Sequence, residues 1–256
     1  MLRHRQSDAH PRTPVDTEMS QTAMRVVVLQ SNYIPWKGYF DLIHDADVFV
    51  WYDEVQYTKN DWRNRNKIYS KNGLQWLTIP IAKDAVKQKI SEVALPDPRW
   101  QQDHFKSLYF SYKPARHFDQ LEPLLNQIYV EAKWDNLARL NRHLIETISR
   151  TLGIKTQFKD SKDFVLEGDR VSRLVNLLQQ IGATEYISGP SAKEYTAGSE
   201  HCFSAAGIKL TWKDYSGYPA YPQLREPFEA GVSVLDLLAN VPLAKIPDHI
   251  WGWRSN

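Results

Sequence analysis

Five consecutive residues, Trp62-Arg63-Asn64-Arg65-Asn66, set two guanidiniums between carboxamides behind an indole. Arginine offers a planar fork matched to phosphate or carboxylate, and asparagine both donates and accepts. In an extended chain alternate residues share a face, which puts Arg63 and Arg65 on one side and Asn64 and Asn66 on the other. Two readings stay open for this run. Either at least one arginine holds an anionic ligand such as a diphosphate, or the run is a solvated approach to a hairpin with Arg65 in a structural salt bridge. Just upstream, Asp53 closes an apolar stretch and is followed by Glu54 and Gln56. A carboxylate there can bind a sugar hydroxyl, hold an ammonium, coordinate Mg²⁺ or act as general base, which makes Asp53 the candidate catalytic group. It can equally cap the turn that follows. Further upstream, Gln30, Asn32, Tyr33, Trp36 and Tyr39 supply the amides and aromatic rings that commonly line saccharide or base pockets, and Gly38 permits a close backbone approach or tight helix packing.

These residues need elements to present them. The apolar run 26–29 and the run 48–52 read as buried strands, and 36–44 between them as a short helix. A strand-helix-strand order implies a parallel pair with a right-handed crossover. In open α/β sheets ligands bind beyond the carboxyl ends of the strands, so Gln30 to Tyr39 and Asp53 to Gln56 both stand where a ligand is expected. Segments 67–69 and 74–81 flank Lys71-Asn72-Gly73, a hairpin signal, and Pro80 places the second of them near an edge or a strand end.

From 100 to 153 the period becomes helical, as in Leu121, Leu124, Leu125, Ile128 and again Leu137, Leu140, Leu144, Ile148. Strand and helix alternation then returns, with strands at 155–158, 186–188 and 208–212 and helices at 169–181 and 232–240. The fold expected is α/β, a Rossmann-like and partly parallel sheet with a β-hairpin and a helical insertion at about 98–153. Residues 25–241 form one domain, 1–24 a disordered tail and 242–256 a C-terminal tail.

Composition bounds the function. Lys and Arg number 32 against 30 Asp and Glu, a net charge of +2, which gives no basic surface for nucleic acid. The one cysteine, Cys202, fits a reducing cytoplasm, and no apolar stretch nears the roughly 20 residues of a membrane span. Its neighbour His201 would serve a thiol nucleophile only if their side chains met, and adjacent residues in a helix or strand usually diverge. The motifs GxxxxGK, HExxH and GxSxG are missing and the eight histidines lack metal-ligand spacing, so no metal site is expected and no cofactor is indicated. His44 and His143 read as packing residues. Ser188-Gly189-Pro190-Ser191 is either an anion-binding turn or a plain strand-to-helix turn, and the stretch from Tyr218 to Gln223 an aromatic wall or ordinary loop packing.

Several ordered segments carry a resemblance: QSNYIPWKGYFDLI, DEVQYTKNDWRNRNKI, QWLTIPI, the Leu152-Gly153-Ile154 turn, IGATEYISGP and YPQLREPFEAGVSVLDLLANV. Together they resemble the WbqC-like family, proteins often encoded among bacterial surface-polysaccharide and O-antigen biosynthesis genes. The likeness spans Arg25 to about Val241, with the departure that the family more often has proline where Ser31-Asn32 stands. It implies handling of an activated sugar or modified amino sugar, with Gln30, Asp53, Gln56, Trp62, Arg63, Asn64 and Arg65 as site residues.

The expected activity is that of a cytoplasmic transferase acting on a nucleotide-linked amino sugar, by acyl or aminoacyl transfer. Arg63 and Arg65 would hold phosphate, Trp36, Trp62 or Tyr39 would pack against sugar or base, and Asp53 would accept a proton. A non-catalytic sugar- or nucleotide-binding accessory protein is the alternative. Nucleotidyl transfer is a more distant one, because Trp36-Lys37-Gly38-Tyr39 stands where such enzymes place paired histidines.

Overall fold

The computed structural model describes residues 23–255, so the disordered tail expected over residues 1–24 falls, for residues 1–22, outside the described residues. Strands β1 (Arg25–Leu29) and β2 (Val48–Trp51) are followed by the hairpin of β3 (Arg65–Ser70) and β4 (Gly73–Thr78), then by β5 (Gln157–Asp160), β6 (Glu185–Ser188) and β7 (Lys209–Trp212). The hairpin stands apart. The other five strands form one sheet in the order β5-β2-β1-β6-β7, with every neighbouring pair parallel. Taken in the sheet's own sequence this is the order 3-2-1-4-5, a doubly wound arrangement whose switch point lies between β1 and β6.

The near-continuous apolar sequences of β1 and β2 follow from burial on both faces. Side chains alternate across a strand. Val27, Phe49 and Trp51 therefore join a core with Phe40 and Ile43 of helix α1 (Lys37–His44), and Val26, Val28, Val48 and Val50 join a second core on the opposite face. The first core continues without a break through the helical block, α2 (Arg99–Tyr112), α3 (Phe118–Asn126) and α4 (Leu137–Thr151), and through the hairpin. The second is closed by Leu174, Leu177 and Leu178 of α5 (Arg170–Ile181). The short α6 (Lys193–Thr196) and α7 (Glu200–Ala205) connect β6 to β7, and Phe203 of α7 fills the same core. No helix among the described residues is long and apolar enough to cross a membrane.

Element ends differ from the periodicity where polar groups decide them. β4 stops at Thr78, because Pro80 has no N–H for a ladder. β5 begins at Gln157, two residues later than expected, and the Thr156 hydroxyl just before it bonds to the carbonyls of Ile43 and Ala46. Helix α8 (Val234–Asn240) starts after Ser233, whose side chain caps Leu235 N–H.

The segment after Val241, read as a tail, is built into the fold. Turns of 3₁₀ helix at Leu243–His249 and Gly252–Ser255 bury Ile246 and Ile250. They lie along one face of α1. Trp251 stacks on His44 at 4.2 Å and 6°, and Arg254 pairs with Asp41 at 2.8 Å. Asp41 is fully buried and also takes Lys213 at 2.9 Å.

Gly38 is required where α1 begins, since a Cβ there would lie 2.3 Å from the Trp36 indole. Gly38→Ala must displace that ring, so urea denaturation should show a loss of about 1–3 kcal/mol. A loss under about 0.5 kcal/mol would show that the ring yields freely.

Candidate functional site

Three strand exits and one helix meet at the carboxyl edge of β1, β2 and β5. Asp53, one turn past β2, is completely buried. One of its oxygens accepts the Ser31 N–H at 2.8 Å and the other accepts Arg142 Nε at 2.7 Å. Arg142, from the middle of α4, donates its other arm to Asp160 at the end of β5. One guanidinium thus bridges carboxylates from two adjacent strands, and Asp53 in turn fixes the loop that leaves a third. Burial alone would push the Asp160 carboxyl up; the hydrogen bonds from Arg142 and from the Lys162 amide outweigh it and hold the group below the usual carboxylate range.

Beside this bridge opens a cleft of about 580 Å³ lined by Trp51, Phe158, Arg142, Glu146, Asp160 and Asp163. Trp51 and Phe158 stack at 5.3 Å and 9°, and the Arg142 guanidinium lies 5.8 Å from the Trp51 ring. Side-chain oxygens of Ser31, Asn141 and Ser161, neighbours in sequence of Gln30, Arg142 and Asp160, are buried without a protein partner. Such groups are costly and gather where a polar ligand or ordered water is accommodated.

On the other side of Asp53 lies the Arg63 cluster. Arg63 donates to the side-chain oxygen of Asn32 and to that of Gln30 at 3.2 Å, with the Asp61 carboxylate at 3.5 Å. Tyr39 supports it from below by donating to the Gln30 carbonyl at 2.9 Å. Asn141 of α4 grips the Arg63 carbonyl at 2.8 Å, and the Tyr33 amide takes the Trp62 carbonyl at 2.9 Å. Helix α4 therefore sets Arg142 through its side chain and Arg63 through its backbone.

The expected residues thus divide. Gln30, Asn32, Tyr39, Asp53 and Arg63 come together at the strand exits. Asn64 and Asn66 are both buried, but the two arginines do not share one side, because Arg63 stands in the turn before β3 and the strand begins only at Arg65. Asn64 donates to Ile79 O, and Asn66 to the carbonyls of Tyr33 and Ile34, which are structural tasks. Arg65 leaves the cluster to bond Asn60 and lie 4.5 Å over the Trp76 ring, where Trp62 also sits at 5.6 Å. Trp36 faces the switch-point side, against Tyr215 and Tyr218. Gln56 is spent on the Val86 carbonyl at the surface. The Ser188 to Ser191 stretch runs into a 3₁₀ turn at Pro190–Ala192. Cys202 and His201 do not diverge as adjacent side chains usually would: sulfur and Nε2 are 3.6 Å apart on α7, outside the strand-exit group.

Tyr33 points into the core, its hydroxyl 2.7 Å from His104 Nδ1 and 2.6 Å from the Tyr129 hydroxyl. With His104 Nε2 at 3.3 Å from the Thr78 carbonyl, the ring donates there and accepts from Tyr33. Burial pushes this imidazole down to about 4.

Sequence reading missed Arg142, Asp160, Trp51 and Phe158. A signal was present, since both β2 and β5 run into an aspartate at their carboxyl ends. Among the described residues no three His, Cys, Asp or Glu side chains are grouped as a metal ion would need.

A model of the WbqC-like protein family matches residues 30–247. The chain is 47% identical over 227 residues to the uncharacterized protein Rv1507c of Mycobacterium tuberculosis, a match that covers 88% of this chain and 97% of that protein. No solved structure matches.

Two outcomes follow from this geometry. Arg142→Ala leaves two carboxylates without their partner and should cost about 3–5 kcal/mol in urea denaturation, whereas Lys162→Ala, at the exposed end of the same network, should cost under about 1 kcal/mol. The second concerns pH. Unfolded His104 takes a proton near 6.5 and the folded residue only near 4. The unfolded state binds more protons in between, so stability present above 6.5 is lost as pH falls, by up to about 3 kcal/mol. In His104→Gln that slope between pH 6.5 and 4 should flatten, and an unchanged slope would remove His104 as its source.

Proposed function

The chain belongs to the WbqC-like protein family, and we propose that it is a transferase acting on a nucleotide-linked amino sugar in bacterial surface-polysaccharide biosynthesis, by acyl or aminoacyl transfer. The observation that carries this reading is the Arg63 cluster at the strand exits of a doubly wound parallel sheet. Arg63 is oriented by two neutral amide oxygens, with one carboxylate at 3.5 Å. Arg142, in contrast, is bonded by carboxylates on both arms. The charge of Arg63 is therefore the more available to a phosphate, and its fork is already fixed, which lowers the ordering cost of binding. The aromatic floor of Trp51 and Phe158 suits the base or the sugar ring.

Asp53 serves here as a positioning residue. A general base must reach the proton it takes, and Asp53 is sealed from solvent by the Ser31 amide and Arg142. That same seal favours the second reading, a sugar- or nucleotide-binding accessory protein with no acid–base group.

A thermal-shift panel of UDP- and dTDP-linked amino sugars, free nucleotides and acyl-CoA tests the proposal. At a hundredfold excess over Kd a nucleotide sugar should raise Tm by roughly 5 °C or more, and Arg63→Ala should abolish the rise. A panel without a nucleotide-sugar response, or a response that survives Arg63→Ala, overturns it. Asp53→Asn separates the two readings: a transferase that needs the Asp53–Arg142 pair loses turnover while it retains ligand, and a binder changes only in affinity.

A further inference from the structure

A second cleft, of about 550 Å³, lies between β4 and the first two turns of α2, outside the strand-exit cluster. Its walls follow from simple periodicity. On β4 the alternate residues 74, 76 and 78 turn outward, and on α2 residues 100, 103, 104 and 107 share one side. Trp76 remains 44% exposed, a large fraction for an indole next to a cavity. Trp100 is 3% exposed and its indole N–H is buried without a protein partner.

The charges of the cleft decide what it can take. Asp97 and Arg99 neutralise each other through a bidentate pair, with contacts of 2.7 and 3.0 Å. Asp103 is left as the carboxylate without that compensation in the lining, and a phosphate finds no unpaired cation among the lining residues. A cation is no better placed. Trp76 already has the Arg65 guanidinium at 4.5 Å and the Lys67 ammonium at 5.3 Å from its ring. His104 is held as a neutral ring by its bonds to Tyr33 and Thr78. What remains is a partly exposed indole with neutral donors and acceptors, Gln75, Thr78 and Ser107, and a carboxylate able to accept from hydroxyls. An uncharged ring with an apolar C–H face and many hydroxyls matches that set.

We propose that this cleft binds a neutral saccharide, with Trp76 as the stacking platform and Asp103 as a hydroxyl acceptor. The site is separate from the strand-exit cluster and does not depend on a nucleotide-sugar activity. It gives the molecule a place for a glycan that carries no phosphate.

Saturation-transfer NMR on the full chain tests this, with chitobiose and maltotriose as probes and putrescine and inorganic phosphate as competitors. Transfer to the ring protons of at least one saccharide is expected, unaffected by either competitor. Trp76→Ala should reduce it at least tenfold, and Asp103→Asn should weaken it severalfold without touching the aromatic platform. Arg63→Ala, which disables the other site, should leave it unchanged. The proposal is overturned by no transfer to either saccharide, by full transfer in both Trp76→Ala and Asp103→Asn, or by loss in Arg63→Ala, which would assign the saccharide to the strand exits.

Discussion

The bridge from Asp53 through Arg142 to Asp160 holds the strand-exit edge of the molecule together. It joins the exits of β2 and β5 to α4, and through the Ser31 amide it reaches the exit of β1 as well. A carboxylate with no solvent exposure is tolerable only when its charge is met by a partner and its lone pairs are bonded, and Asp53 satisfies both conditions with neighbours from two other elements. The geometry of Arg63 is downstream of this bridge. The helix that delivers Arg142 also grips the Arg63 backbone through the adjacent Asn141, so a shift of α4 moves both guanidiniums at once.

A second constraint is the way carboxamides replace regular backbone pairing. The loop from Ser31 to Pro35 and the strip before β3 have no sheet partner, yet they are largely buried. Asn66 binds the carbonyls of Tyr33 and Ile34, Asn64 that of Ile79, and Asn141 that of Arg63. Each carboxamide satisfies main-chain oxygen that would otherwise be buried alone. Isosteric aspartates in these positions would repel the carbonyls they now serve. The polar character of this stretch is therefore divided between scaffolding, carried by the buried amides, and the two arginines, of which Arg63 joins the strand-exit cluster and Arg65 packs over Trp76.

Much of the sheet was legible from periodicity, because Val26 to Leu29 and Val48 to Trp51 are apolar on both faces and fit only a covered parallel sheet. The hairpin followed from Asn72-Gly73, where Gly73 does adopt a φ of +95°. At the site, the neighbours in sequence were the legible part: Gln30 and Asn32 share a loop, and Arg63 lies in a run whose alternation is visible by eye. Arg142 was hidden because its meaning depends on two aspartates 89 and 18 residues away, a pairing that only the fold creates. Trp36 and Gln56 show the opposite case. They stand close in sequence to residues of the strand-exit cluster, but the start of α1 turns Trp36 toward Tyr215 and the Gln56 side chain is consumed by Val86. The C-terminal segment carried too little apolar periodicity to announce itself, since it docks through single anchors at Ile246, Ile250 and Trp251.

Those anchors bear on the site by a longer route. Asp41 and His44, one turn apart on α1, are both held by residues 251–254, and the same Asp41 takes Lys213 from beyond β7. Helix α1 is thereby clamped at one end by the C-terminal turns and at the other by Trp36 packed over Gly38. Between these clamps Tyr39 carries the hydroxyl that supports the Gln30 carbonyl, and Gln30 in turn orients Arg63. A bidentate anion site tolerates little angular error in its guanidinium. Trp251 and Arg254 therefore help to set the angle of Arg63 through α1, although neither belongs to its cluster.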